Sequence, residues 1–203
     1  MSADRGDAPP LPGPGHNLGP SMDDGRAWRV HAWSKARAAR PEARLPVEIV
    51  RMRKRRAAEL GLDYRTYASV RSYSGRDISG LLFSSNALGL FATHQRLPDA
   101  VADRLRALHQ CRRIALLHPP LDPVALADRL ESLDRLYRAP RLLGSWPAMR
   151  DAMARVQDGL PAAALVLIGA APLERDWAGA GRLGGYLDAA RYFGAHPGLL
   201  SGA

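Results

Sequence analysis

Two short apolar segments, each enclosed by amphipathic stretches, limit this chain to a mixed α/β fold more than any other feature. The first segment is Arg113–Leu117 (RIALL), which a His-Pro-Pro tripeptide stops, and the second is Ala163–Ile168 (AALVLI). Apolar runs this short, bounded by turn residues, are typical of buried strands. Because strands that alternate with helices pair in parallel through crossovers, we predict a small α/β domain with a few parallel strands over residues 77–203.

The helices of this domain are predicted from their first residues and their apolar periodicity. Pro98 and Trp146-Pro147 mark two helix starts, and Asp122 caps a third helix that has a proline in its first turn. The predicted helices span residues 98–111, 122–137, 146–159 and 173–187. For residues 78–91 the periodicity is compatible with a strand followed by a helix or with one continuous helix, and the sequence leaves this choice open.

The chain before residue 77 divides into two parts. Residues 1–25 are rich in Pro and Gly, which block both helix and sheet, so we predict a disordered tail there. Within the tail, residues 15–20 (GHNLGP) resemble a GHN-x-GP tag at the N-termini of assorted bacterial phage- and plasmid-type proteins. Those proteins share no single function, so the resemblance implies no activity. Residues 26–76 are predicted to form a basic helical module, which begins with a helix over residues 26–40.

Positive charge is concentrated in this basic helical module. The whole chain has a net charge of +9, yet residues 26–76 alone hold fourteen Arg and Lys side chains against four Asp and Glu side chains, a local net charge of +10. Residues 1–25 have a local net charge of −3, and residues 77–203 have +2. A local excess of this size indicates a polyanionic partner, and nucleic acid is the commonest one.

The centre of the module is predicted to be a helix, a tight turn and a second helix. The first helix spans Val47–Leu60 and ends at Gly61, a residue suited to a positive φ. The second helix spans Tyr64–Ser74 and is capped by Asp63. Four consecutive basic residues, 53–56, cover every face of a helix, so some of them must lie over neighbouring protein surface or reach a partner.

The segment over residues 47–74 resembles a helix-turn-helix, in which the second helix reads the major groove of DNA. Ala57 and Gly61 stand four residues apart, as do the small-residue and turn positions of that motif, whereas Tyr67 stands near its late aliphatic position. The resemblance implies binding to duplex DNA. The residues expected to contact phosphates are Arg51, Arg53, Lys54, Arg55 and Arg56, and those on the polar face of the second helix, turned to the bases, are Arg65, Ser69, Ser72 and Arg76.

A different class of function follows from the topology of a parallel sheet. Residues at the carboxyl ends of parallel strands line the ligand crevice of open α/β sheets. His118 follows one predicted strand, and Glu174 and Asp176 follow the other, so these residues meet if the two strands are neighbours. The alternative hypothesis is therefore a small α/β enzyme or ligand-binding domain, with His118 as its acid or base. In a purely structural interpretation, the two acidic residues simply begin a helix, whose dipole favours acids there.

Other candidate motifs do not fit their chemistry. Residues 179–184 spell G-x-G-x-x-G, but they lie ten residues after the predicted strand instead of directly after it, so we predict no nucleotide cofactor. His109, Cys111 and His118 lack a fourth ligand and a zinc-site spacing. We predict neither a metal nor a cofactor.

Composition favours a reducing compartment. Cys111 is the single cysteine and cannot form an internal disulfide. The first 25 residues lack the apolar run of a signal peptide. The longest apolar run, residues 160–173, is shorter than the ~20 residues of a membrane-spanning helix. We therefore expect a cytoplasmic protein that does not enter a membrane.

The leading hypothesis is a cytoplasmic DNA-binding protein, either a transcriptional regulator or a phage- or plasmid-derived factor. The α/β domain would then serve in homo-oligomerisation or ligand sensing. A third hypothesis is a protein-interaction adaptor whose basic helix meets an acidic partner. Exposure of Arg65 and Arg76 favours nucleic acid, whereas burial of their face against the α/β domain would rule out a helix that reads the groove.

Overall fold

The computed structural model describes residues 45–194, and this range is a mixed α/β structure with one five-stranded parallel sheet. The predicted tail, the GHN-x-GP segment and the helix over residues 26–40 lie outside the described residues. The strands are β1 Gly80–Ser84, β2 Arg112–Leu117, β3 Arg135–Arg138, β4 Leu165–Gly169 and β5 Gly185–Asp188. The α-helices are α1 Val47–Glu59, α2 Tyr64–Ser74, α3 Asp99–Arg106, α4 Pro123–Leu126, α5 Trp146–Val156, α6 Arg175–Ala180 and α7 Ala189–Phe193.

The strand order is β3-β2-β1-β4-β5, with every neighbouring pair parallel. The chain first moves outward from β1 to β3, then returns to the other side of β1 for β4 and β5. In the central register, Leu82 of β1 pairs with Ile114 of β2 and with Leu167 of β4. The order therefore reverses between β1 and β4, and the carboxyl ends of these strands form the topological switch point where open α/β sheets bind ligands.

Helices cover both faces of the sheet. Phe83 of β1 lies in a core layer with buried residues of α1, α2, α3 and α7, whereas Leu82 lies in a second layer with α5 and α6. This division follows from the alternation of side chains along a strand. Because the central strands are buried on both faces, their sequences are continuously apolar, as is typical of parallel sheets.

The two N-terminal helices of the described range pack on this core. Ala57 and Leu60 at the end of the first helix, and Tyr67 of α2, are almost fully buried in the same layer as Phe83. The Tyr192 hydroxyl of α7 also donates to the Leu60 carbonyl oxygen at 3.1 Å. The described residues from 46 onward belong to one compact unit. The helices before residue 76 and the sheet after it thus share a core.

The structure corrects the helix predicted over residues 122–137. The α-helix ends at Leu126, a 3-10 turn follows over Ala127–Arg129, and Arg135–Arg138 is the strand β3. Leucines at 126, 130 and 133 are buried at a helical spacing. That spacing hid β3, because a strand of four residues at the end of the sheet order carries little apolar pattern of its own.

The helix predicted over residues 173–187 is also wrong. A 3-10 turn over Pro172–Glu174 leads into α6, which ends at Ala180, and β5 begins at Gly185. The Gly184 N–H donates to the Leu165 carbonyl at 2.8 Å, and a Cβ at Gly184 would collide with the backbone of Ala163. Gly181 therefore ends helix α6, and Gly184 and Gly185 lead into strand β5.

The open choice over residues 78–91 resolves to a strand, β1, followed by a turn and no helix. Among the helices within residues 45–194, none is long and apolar enough to cross a membrane.

Candidate functional site

Polar side chains meet at the carboxyl ends of β1, β2 and β4, around the switch point. Ser84 is the last residue of β1, His118 follows β2, and Glu174 lies in the 3-10 turn after β4. The strands β2 and β4 are not neighbours, since β1 lies between them. The His118 and Glu174 side chains nevertheless meet, with Nε2 of the imidazole 2.8 Å from Oε1 of the carboxylate.

Glu174 is fully buried, and both of its carboxylate oxygens accept hydrogen bonds. Oε1, which contacts His118, also accepts from Asn86 Nδ2 at 2.9 Å. Oε2 accepts from Ser84 Oγ at 2.8 Å and from two backbone N–H groups directly after β4, at 2.8 and 3.1 Å. A carboxylate offers about four lone-pair positions, so these donors satisfy it and offset the cost of its burial. Glu174 thus ties three strand ends together.

Hydrogen bonding keeps Glu174 ionised. Burial raises the pKa of the Glu174 carboxyl, but hydrogen bonds from His118, from the Ala171 N–H and from Ser84 outweigh burial and leave the pKa below its usual value. Because an ionised carboxylate only accepts hydrogen bonds, Nε2 of His118 must carry a proton. In the tautomer that has this single proton, the ring presents Nδ1 as an acceptor.

The His118 ring is held on a second side by packing. It lies against the buried Trp177 of α6, with ring centroids 5.1 Å apart, and its side chain keeps 16% of its surface exposed. Within the described residues, Nδ1 has no hydrogen-bond partner. The arrangement is that of a positioned imidazole, in which a carboxylate fixes one nitrogen and leaves the other for a ligand or a proton.

A glycine at the end of β4 permits this arrangement. A Cβ on Gly169 would lie 2.7 Å from Oε2 of Glu174 and 2.7 Å from the Tyr186 ring. Only glycine leaves room for the carboxylate to approach the strand end. Ser84 and Asn86, which the sequence argument missed, directly follow the apolar run of β1. A position at the end of a strand would have indicated that they belong to the site. The sequence did not decide between a strand and a helix for this segment, so they were not predicted. Asp176, the third residue of the hypothesis, lies half-buried in the first turn of α6.

The candidate residues for metal and nucleotide binding lie elsewhere or lack the required arrangement. Among the described residues, no group of three or more His, Cys, Asp or Glu side chains is arranged to hold a metal ion. Burial raises the pKa of Cys111 to about 12, so its thiol stays protonated and is a poor nucleophile. The G-x-G-x-x-G glycines at 179–184 precede β5 at its amino end, away from the switch point.

The basic residues of α1 fall into two environments. Arg51, Lys54 and Arg55 are exposed and make no ion pair or hydrogen bond with another described residue. Arg53 and Arg56 are half-buried and turn toward the rest of the protein. This split is the expected consequence of a continuous run of charge on a helix packed on one side.

The Arg56 side chain makes several hydrogen bonds and ion pairs within the protein. Its guanidinium donates to the carbonyl oxygens of Ile78, His109 and Gln110, at 3.0, 3.1 and 2.9 Å. It also pairs with Glu59 at 3.1 Å and with Asp77 at 3.4 Å. Arg56 therefore joins α1 to the chain before β1 and before β2. Most of its donors are therefore bound within the protein, unlike those of the other basic residues predicted to contact phosphates.

The polar face of α2 is exposed. Arg65, Ser69 and Ser72 are exposed on this face. Arg76, predicted as its fourth member, is exposed too but lies two residues beyond the end of the helix. The opposite face is anchored by Tyr67, whose hydroxyl donates to Asp77 at 2.7 Å, and burial raises the pKa of this tyrosine.

Local caps fix both ends of this helix. Asp63 accepts from the Thr66 N–H at 2.8 Å and from its hydroxyl at 2.6 Å, and these bonds lower the pKa of Asp63. Gly75 ends the helix at φ 69°. The helix therefore begins and ends at the residues that the sequence predicted.

No family model, no curated protein and no solved structure matches this chain. Function is therefore inferred from the residues and their geometry alone.

Proposed function

We propose that this protein binds duplex DNA through the exposed basic faces of α1 and α2. The observation that carries the proposal is a set of exposed cations, on two adjoining helices and directly after the second one, whose charged groups have no partner among the described residues. These are Arg51, Lys54, Arg55, Arg65 and Arg76. Elsewhere many arginines are paired, as in the bond of Arg113 to Asp134 at 2.6 Å. Clustered unpaired cations produce the positive potential that phosphate backbones recognise.

The arrangement of α1, the turn and α2 supports a different role in DNA binding for each helix. The first helix ends at Glu59, a turn over residues 60–63 follows, and α2 presents its polar face to solvent. In this proposal, α1 contacts phosphates and fixes the position of the protein, while Arg65 and Ser69 meet base edges in the major groove. This activity fits a cytoplasmic transcriptional regulator or a phage- or plasmid-derived factor. A homo-oligomer would present two such helices to two half-sites.

Fluorescence anisotropy with a labelled duplex, titrated at several salt concentrations, tests the proposal. With about five phosphate contacts, log K should fall with log salt at a slope of roughly −4 to −5. Polyglutamate of similar length serves as a competitor, because an adaptor for acidic proteins would prefer it. The proposal fails if the duplex does not bind at low salt, if the slope is near zero, or if polyglutamate displaces the duplex at equal charge.

A second function, a small-molecule site at the strand ends, is favoured by the contact between His118 and Glu174. In this alternative, His118 Nδ1 exchanges a proton or a hydrogen bond with the ligand, and Glu174 positions the ring. A thermal-shift screen of polar metabolites, with His118→Gln as the comparison, tests it. A compound that stabilises the wild type and not the variant supports the site. Equal stabilisation of both proteins removes His118 from it.

A further inference from the structure

A groove of about 240 Å³ lies between α1, α2 and the chain before β2. Arg53 and Arg56 line it from the first helix, Tyr67 and Arg71 line it from the second, and Asp77 lines it from the chain before β1. Three guanidinium groups and one carboxylate line the groove, so the lining side chains carry a local charge of +2. The volume is below the ~300–1,000 Å³ of sites that enclose a whole small molecule, so the groove suits a single chemical group.

Arg53 is the unusual member of this lining. Its Nε is buried, and its side chain makes neither a hydrogen bond nor an ion pair with any described residue. Nearly all buried polar groups in folded proteins are paired, so an unpaired guanidinium N–H needs an explanation. The Nη groups of Arg53 also have no partner among the described residues and are not buried, so an anion in the groove would accept their hydrogen bonds and balance the charge beside the buried Nε.

The other two arginines contribute in different ways. Arg71 is held loosely, with Nη1 3.5 Å from the Tyr67 hydroxyl and 3.7 Å from Asp77 Oδ1. Its side chain is 32% exposed, and most of its donors stay available. Arg56, whose donors are bound to carbonyl oxygens and carboxylates, adds positive charge but few hydrogen bonds.

We propose that this groove binds a phosphate monoester through Arg53 and Arg71. The planar fork of a guanidinium matches phosphate oxygens, and a monoester dianion balances the local charge of +2. The inference deepens the proposed function, on which it rests, because the monoester would be the 5′-terminal phosphate of a DNA strand whose backbone lies along α1. Free phosphate has the same chemistry and is the other source to distinguish.

The test compares two duplexes of identical sequence, one with a 5′-phosphate and one with a 5′-hydroxyl. The wild type should bind the phosphorylated end about tenfold more tightly, as one charge-assisted contact would give. Arg53→Gln should abolish this ratio, and Arg53→Lys should restore only part of it, since lysine lacks the fork. The matched control, Arg55→Gln, removes an exposed cation two residues along the same helix. It should lower affinity for both duplexes and keep the ratio.

A second experiment with inorganic phosphate distinguishes a DNA 5′-phosphate from free phosphate as the ligand. It also distinguishes failure of the groove from failure of DNA binding. A rise in melting temperature with phosphate, over chloride at matched ionic strength, that disappears in Arg53→Gln supports the groove even if neither duplex binds and the proposed function fails. If both duplexes bind equally and phosphate stabilises the wild type no more than chloride does, the groove is overturned while DNA binding stands. Circular dichroism of each variant confirms that its fold is retained, so that a lost ratio reports on binding.

Discussion

The exposed face of α1 and the polar cluster at the strand ends use charge in opposite ways. On α1, Arg51, Lys54 and Arg55 face solvent and have no partner within residues 45–194, whereas Glu174 is buried and accepts hydrogen bonds on both oxygens. An exposed cation costs the fold little and remains available to another molecule. A buried carboxylate must be satisfied within the protein, and the groups that satisfy it become fixed. The first region is thus suited to a large polyanion, and the second to holding His118 in place.

The largest effect is expected at the strand ends. Glu174→Gln puts an amide N–H₂ among buried donors and leaves two or more of them without an acceptor, at a cost of about 1–3 kcal/mol of unfolding free energy for each. Urea denaturation measures the loss. Glu131→Gln, at an exposed position, is the control and should change stability by no more than about 0.5 kcal/mol. Equal stability of the two variants would mean that the cluster contributes nothing to the fold.

Removing the exposed cations of α1 should leave stability unchanged and weaken DNA binding. The triple variant Arg51→Gln, Lys54→Gln, Arg55→Gln should lower the magnitude of the salt slope by about 3, which is about one for each phosphate contact. The control removes three other exposed arginines that lie apart in the chain and have no side-chain partner in the described part of it: Arg96, Arg141 and Arg155. Anisotropy titrations should show little change for this control. The same loss in both triple variants would indicate that only net charge matters.

Neighbouring arginines of α1 should behave differently. Arg56→Gln removes three hydrogen bonds to backbone carbonyl oxygens and should cost about 1–3 kcal/mol of unfolding free energy. Arg55→Gln should cost no more than about 0.5 kcal/mol, since its side chain has no partner among the described residues. Denaturant melts of the two variants, side by side, give the comparison. The prediction fails if Arg55→Gln lowers the unfolding free energy more than Arg56→Gln does.

The smallest effect is in the pH dependence of stability. The pKa of Glu174 lies below its usual value of 4.5 in the folded protein, so its contribution is complete above about pH 4.5 and is lost as the pH falls through the folded pKa. Asp63 and Asp134 also have lowered pKa values and act in the same direction. The difference between wild type and Glu174→Gln isolates one carboxylate, and it should shrink between pH 5 and pH 3 in urea melts. A difference that is constant with pH would argue against an ionised Glu174.

The sequence predicted the elements whose signals are local. Asp63 and Gly75 fix the ends of α2 through their own caps, and the continuous apolar runs of β2 and β4 were enough to indicate a parallel sheet. The strands β3 and β5 were missed because each has four residues and depends on pairing with a distant strand. Topology alone placed His118 and Glu174 at one edge of a sheet. Their bonds to Ser84 and Asn86 join residues about ninety positions apart, which no local pattern reveals.

The most direct test of the account is to map where duplex DNA contacts the protein. Amide chemical shifts of ¹⁵N-labelled protein, recorded during titration with a short duplex, report on both regions at once. The account predicts that perturbations concentrate in α1 and α2, around Arg55 and Ser69, and that the amides of Ser84, His118 and Glu174 stay unchanged. Perturbations confined to the strand ends, or shifts spread evenly over the surface, would contradict it.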